Sequence, residues 1–187
     1  MFDLLVKTTL EQKSFLTKVR EAMEAYFGDD QKRIDHALQV SRNAEELLTF
    51  IDADPVLTLT SAYLHDIGIH EAERKHGSNA GNWQELEGPP IARAMLAGVE
   101  AEIVFIDHVA EIIGNHHTSN GVDSPEFRII WDADALVNFA EVLPSKSMEQ
   151  IESILRKHMV TEPGFRMAHR LFSGASTNTM PACKDCS

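Results

Sequence analysis

Apolar residues recur at three- and four-residue intervals along most of this chain, and no stretch alternates apolar with polar side chains as a half-buried strand would. A chain patterned this way buries its apolar stripes by packing helix on helix, so the expected fold is all-α, a single-domain helical bundle. Thr8 to Phe27 opens with Thr8 and Glu11 at capping-box spacing, carries Leu16, Val19 and Met23 on one stripe, and is stopped by Gly28. Gln31 to Phe50 is a second amphipathic helix through Ile34, Leu38, Leu47 and Leu48, with His36 near its start. Asp54-Pro55 starts a third, because aspartate accepts from free backbone N–H groups and proline fits the first helical position. That helix is expected to run to Gly68, with His65 and Asp66 in its last turn.

Ile69 to Pro89 lacks steady periodicity and is expected to be a long connection, with at most a short helix, of the kind that serves as a lid. Pro90 to Leu96, Ala101 to Asn115, Phe127 to Leu143 and Met148 to His158 complete the set of expected helices, with an Asn120-Gly121 turn before the Phe127 helix. The chain of 187 residues fits one compact domain, expected over 1–172. The Ser-, Thr-, Asn- and Gly-rich remainder, 173–187, is expected to be a flexible tail. Cys183 and Cys186 fall in it at ligand-like spacing, but no second pair accompanies them as a structural zinc site would require.

Charge narrows the partners. With 17 Lys and Arg against 29 Asp and Glu, the formal net charge is −12, which disfavours a nucleic acid polymer, since that grip draws on clustered cations. A small anion is still admissible, because divalent cations and a few local arginines reverse the field inside a cleft. No apolar run approaches the roughly 18 residues of a membrane span, and no basic region precedes Met1 to Lys7. A cytoplasmic protein without a membrane partner is expected, and exposed helical faces leave room for a homodimer.

Four polar interruptions of apolar helical faces carry the chemistry: His36 on the second helix, His65-Asp66 closing the third, His116-His117 ending a later one, and Asp132 and Asp134 within the Phe127 to Leu143 helix. Burying imidazole and carboxylate without partners costs several kcal/mol, about 2–7 for a neutral polar group and more for a charge. One shared metal ion explains all four, since these groups are suitable ligands for Zn, Mn, Fe or Ni. Asp134 follows Ile130 by four and precedes Val137 by three, which places it on an inward stripe; Asp132 is the alternative, because Asp-Ala-Asp leaves the register open by two residues. The His116-His117 pair has a simpler competing role, satisfying the last carbonyls of its helix.

The succession of His36, Leu-His65-Asp66-Ile-Gly, His116-His117 and Ala-Asp134-Ala-Leu, over roughly residues 30 to 140, resembles the HD superfamily of metal-dependent phosphohydrolases. The resemblance implies a helical core of the HD type in which His36, His65, Asp66 and Asp134 hold a divalent metal: Mn, Fe, Ni, Co, Zn or Mg, one or two per chain. It also implies hydrolysis of a small phosphorylated substrate, a nucleotide or related phosphoester, by metal-activated water, with Asp66 in a catalytic role. Where some relatives have a phosphate-assisting lysine this chain has Ile69, and where relatives with two metals place a further histidine it offers Gln84, Glu85 and Glu87. His116, His117 and Glu87 are therefore candidates for a second metal or for phosphate. Arg42, Arg74, Lys75 and Arg93 are candidates for charge on the substrate side. Two alternatives share the same core: a di-iron oxygenase, which would need a ligand near Glu85 or Glu87, and a catalytically inactive nucleotide-binding regulatory module.

Overall fold

The computed structural model describes residues 8–173, and the expected tail lies outside them except for Ser173. The described residues are all-α: α1 (Leu10–Phe27), α2 (Gln31–Leu47), α3 (Pro55–Leu64), α4 (Ile69–His76), α5 (Gly81–Gly98), α6 (Ile103–Ile113), α7 (Pro125–Val142), α8 (Met148–His158) and α9 (Glu162–Phe172), with a 3-10 turn, Leu143–Ser145, after α7. No strand occurs among them, and none of their helices is long and apolar enough to cross a membrane.

Local signals set most helix starts. Thr9, one residue later than expected, caps α1 with a full box: its hydroxyl accepts from Gln12 N at 3.1 Å while the Gln12 side chain accepts from Thr9 N at 2.8 Å. Asp54 accepts from Val56 N and Leu57 N ahead of Pro55, and Ser124 caps α7 ahead of Pro125. The third helix is shorter than predicted. It ends at Leu64, the chain turns through His65 to Gly68, and α4 restarts at Ile69.

The expected lid is not a loop. It is α4 and the first half of α5, which runs on through Pro89 and Pro90 although each removes a backbone donor. Tertiary packing outweighs that loss: Ala92 and Leu96 are fully buried, and the backbones of α5 and the turn before α4 meet at two glycines. A Cβ on Gly68 would lie 2.6 Å from Gln84 O and from Gly88 N, so no side chain fits there.

Two apolar clusters fill the molecule. One joins Val40, Ala44 and Leu47 of α2 and Leu59 and Ala62 of α3 to the inner face of α7, with Ile151, Leu155 and Met167 beyond it. The other joins Ile34 and Ala37 of α2 and Leu64 of α3 to Met23 of α1, Leu96 of α5 and Val109 of α6. Helices α2 and α3 belong to both, and His36 and His65 lie along them where the clusters meet.

Candidate metal centre

The turn after α3 is pinned by its apolar residues. Leu64, Ile67 and Ile69 are 0–2% exposed, each contributing about 1.5–3 kcal/mol by burial, and Ile67 N and Ile69 N donate to Leu64 O and Asp66 O. With those three side chains directed into the core, His65 and Asp66 project between α2, α6 and α7. His36 meets them from α2, six residues past the Asp30 cap, and Asp134 from the middle of α7.

The ligand atoms converge. His36 Nε2 lies 3.1 Å from His65 Nε2, 3.0 Å from Asp134 Oδ1 and 3.5 Å from Asp66 Oδ2. His65 Nε2 lies 3.6 Å from Asp66 Oδ2 and from Asp134 Oδ1. Ligands about 2.1 Å from one ion are separated by about 3.0 Å at octahedral and about 3.4 Å at tetrahedral angles, so these spacings fit a single divalent cation. The tautomer fits too: His65 Nδ1–H donates to Ala62 O at 2.8 Å, which leaves its Nε2 facing the two carboxylates.

A second cluster shares Asp66. Its other oxygen, Oδ1, is 3.5 Å from His116 Nε2, and Asp66, His116 and His117 form a further group of ligand atoms within 4.8 Å of one another. His116 Nδ1–H donates to Ile113 O at 2.6 Å, and its buried Nε2 has no hydrogen-bond partner. An unpaired buried nitrogen beside a carboxylate is the kind of exception that a bound cation removes.

Electrostatics shows the strain of leaving the carboxylates and imidazoles to one another. Burial opposes charge on His65, but Asp66 and Asp134 outweigh it and hold the imidazole up at about 9. Burial likewise opposes ionisation of Asp66 and Asp134; His65 and His116 beside the first, and His36 and His65 beside the second, hold both well below the ordinary carboxylate range. His117 is pushed down to about 4, by desolvation first and by His116 next, so it offers a lone pair at neutral pH.

The structure separates the two aspartates of α7. Asp132, fully buried, accepts from Val160 N at 2.8 Å, Thr161 N at 2.9 Å and the Thr161 hydroxyl at 2.5 Å, so it serves the start of α9. Glu87 is also engaged elsewhere, with Lys75 Nζ at 2.6 Å and His76 Nε2 at 2.9 Å. Arg74 pairs with Glu71, Lys75 with Glu71 and Glu87, and Arg93 with Asp107, while Arg42 is exposed on α2.

Sequence reasoning assigned no role to Asn138, whose amide donates to both oxygens of Asp134 at 2.9 and 3.0 Å, or to Asn43, which ties α2 to Ala133 O. The four-residue step from Asp134 to Asn138 is a signal that pattern alone offers for the first. Glu85, weighed only as a ligand, instead grips the backbone after α6 through His117 N and Thr118 N.

A helical core presenting two His/Asp clusters, each able to hold a cation, defines a class of protein. The HD domain model matches residues 33–138, more than half of the chain, and the chain belongs to the HD domain family. Among solved structures it is similar to a predicted HD superfamily hydrolase from an uncultured Thermotogales bacterium, with 28% identity, 86% of this chain and 84% of that one covered, and a TM-score of 0.58. No curated protein matches it.

Proposed function

We propose that this protein is a divalent-metal-dependent phosphohydrolase acting on a small phosphoester, a nucleotide or related phosphorylated metabolite. The convergence of His36 Nε2, His65 Nε2, Asp66 Oδ2 and Asp134 Oδ1, at 3.0 to 3.6 Å for the pairs described, carries the reading. Family membership and the similarity to a predicted HD superfamily hydrolase support it. The chain's net charge of −12 supports a small substrate over a polyanionic polymer.

His36, His65, Asp66 and Asp134 would hold Mn, Fe, Ni, Co, Zn or Mg, and His116 and His117 would extend the set toward a second ion that shares Asp66. When bound, a divalent cation supplies Lewis acidity toward a phosphoryl oxygen, acidifies water and offsets phosphate charge. Asp66 stays anionic at neutral pH with Oδ1 turned toward His116, where it would hold a second ion or, without one, accept a hydrogen from water. Asn138 holds the Asp134 carboxylate in one orientation through its amide, and the buried Nδ1–H bonds of His65 and His116 keep those rings from turning. Arg74, Lys75 and Arg93 are neutralised by carboxylates, so little of the charge compensation comes from them.

The test is phosphate or nitrophenol release from a panel of mono- and diesters with Mn, Mg, Co, Ni or Fe, comparing the native chain with Asp66→Ala. Metal-dependent release that chelation abolishes and the variant lowers by about three orders of magnitude or more is expected. No release by the native chain with any of the metals overturns the proposal.

A further inference from the structure

We infer that Glu85 is a positioning residue that holds the His116-His117 segment in the shape needed to bind a second cation with Asp66; this rests on the metal-dependent reading above. The observation is an acceptor where a helix end does not call for one. The C-terminus of α6 leaves carbonyls seeking donors, yet α5 brings a carboxylate across 32 residues of sequence to the N–H groups that follow it. Glu85 Oε1 accepts from His117 N and Thr118 N at 2.9 Å each and from the Thr118 hydroxyl at 3.0 Å.

The rest of that face of α5 fits the same segment. Gly81, one turn before Glu85, lies against the His117 ring, where a Cβ would be 2.7 Å from Cγ and Cδ2. Gly88, on the other side, lies against Ile113, where a Cβ would be 2.8 Å from its Cγ2. Positions 81, 85 and 88 are spaced to share one face of a helix, and each meets the end of α6 or the turn after it. The result is a backbone held at 117 and 118, a ring seated at 117, and a buried His116 Nε2 without a hydrogen-bond partner 3.5 Å from Asp66 Oδ1. Charge-assisted hydrogen bonds to two successive N–H groups fix a turn more firmly than neutral ones. Among the described residues no hydrogen bond or ion pair links Glu85 to His36, His65 or Asp134.

Mn(II) titration, with bound ions counted by paramagnetic resonance and coupling between ions read from the same spectra, tests the inference on the native chain, Glu85→Ala and Glu85→Gln. The native chain is expected to bind two coupled ions. Glu85→Ala keeps one and binds the second at least about tenfold more weakly, the effect typical of groups that orient a ligand. Glu85→Gln, whose amide oxygen still accepts from both N–H groups, keeps the second ion. In the metal-free chain, amide exchange at His117 and Thr118 speeds up in Glu85→Ala. If that variant does not fold, Gly81→Ala displaces the His117 ring from the same face of α5 and is expected to lose the second ion equally. Two tight ions in Glu85→Ala overturn the inference, as does a Gln variant that fails like Ala, which would make Glu85 a ligand. A single ion in the native chain overturns it while leaving the hydrolase reading intact; no ion in the native chain overturns both.

Discussion

Asp132 and Asp134 stand two residues apart on α7 and serve different regions of the molecule. A two-residue step turns a side chain by about 200° around a helix, so the carboxylates leave opposite faces. Asp134 looks toward α2 and α3, where His36 and His65 meet it and Asn138 steadies it. Asp132 looks toward α8 and α9, where it accepts from Val160 N and Thr161 and sits against Gly164; a Cβ on that glycine would fall 2.1 Å from Asp132 Oδ2. A buried carboxylate is thus given over to chemistry or to architecture by what faces it. The test of function is a set of Lewis-basic neighbours with nothing between them, and the test of structure is a set of donors already satisfied.

Paired substitutions exploit that division. Asp134→Asn is expected to weaken cation binding by about 100-fold or more and to lower turnover at least as much, while the folded structure survives. Asp132→Asn is expected to do the reverse. Its amide would turn an N–H group toward donors, at a cost of about 3 kcal/mol in unfolding free energy, with cation affinity close to native. Calorimetric metal binding and urea denaturation of the two variants separate the effects, and a large loss of cation affinity in a folded Asp132→Asn would erase the distinction.

Much of this was legible in the residues and some of it was not, for physical reasons. Helices α2, α7 and α8 follow from apolar spacing and caps, and His36, His65 and Asp66 stand out as polar breaks in apolar stripes. The first half of helix α5, ahead of the expected Pro90 to Leu96 helix, does not follow, because Gly81, Gly88, Pro89 and Pro90 read as breakers, and only the close approach of its backbone to Gly68 makes a helix the better solution. Nor does the start of α9, whose cap Thr161 is held by Asp132 from 29 residues away. The same long-range partner is why periodicity favours Asp134 without excluding Asp132: both faces of α7 are packed, so each aspartate interrupts an apolar stripe.

Proton affinity separates the two carboxylates as well. Burial pushes Asp132 up against the pull of Thr161 and Val160, whereas Asp134, also opposed by burial, is held low by His36 and His65. Asp134 and Asp66 therefore stabilise the fold above the ordinary carboxylate range, and this is lost as pH falls. His65, raised from 6.5 to about 9, stabilises the metal-free fold fully below pH 6.5 and ceases to do so as pH rises through about 9. Chelator-treated protein is expected to lose about 3 kcal/mol of unfolding free energy over that window, and Asp134→Asn to flatten the loss. With metal the sign reverses: binding must displace the His65 proton, so Mn(II) affinity rises about tenfold per pH unit until pH reaches about 9. A pH-independent metal-free stability would show that His65 is not the proton carrier of the cluster.

The smallest effect belongs to the far side of α5, away from either aspartate. Arg93, in the second half of α5, is exposed and paired with the exposed Asp107 of α6, a surface contact worth about 0–1 kcal/mol. Were it instead a phosphate ligand, removing it would cost transition-state charge stabilisation and lower kcat/KM by at least about tenfold. Arg93→Ala is expected to change unfolding free energy by about 0.5 kcal/mol or less and to leave kcat/KM within about twofold on whichever ester the panel identifies. A tenfold loss at unchanged stability would move Arg93 into the site and require its pairing with Asp107 to open when substrate binds.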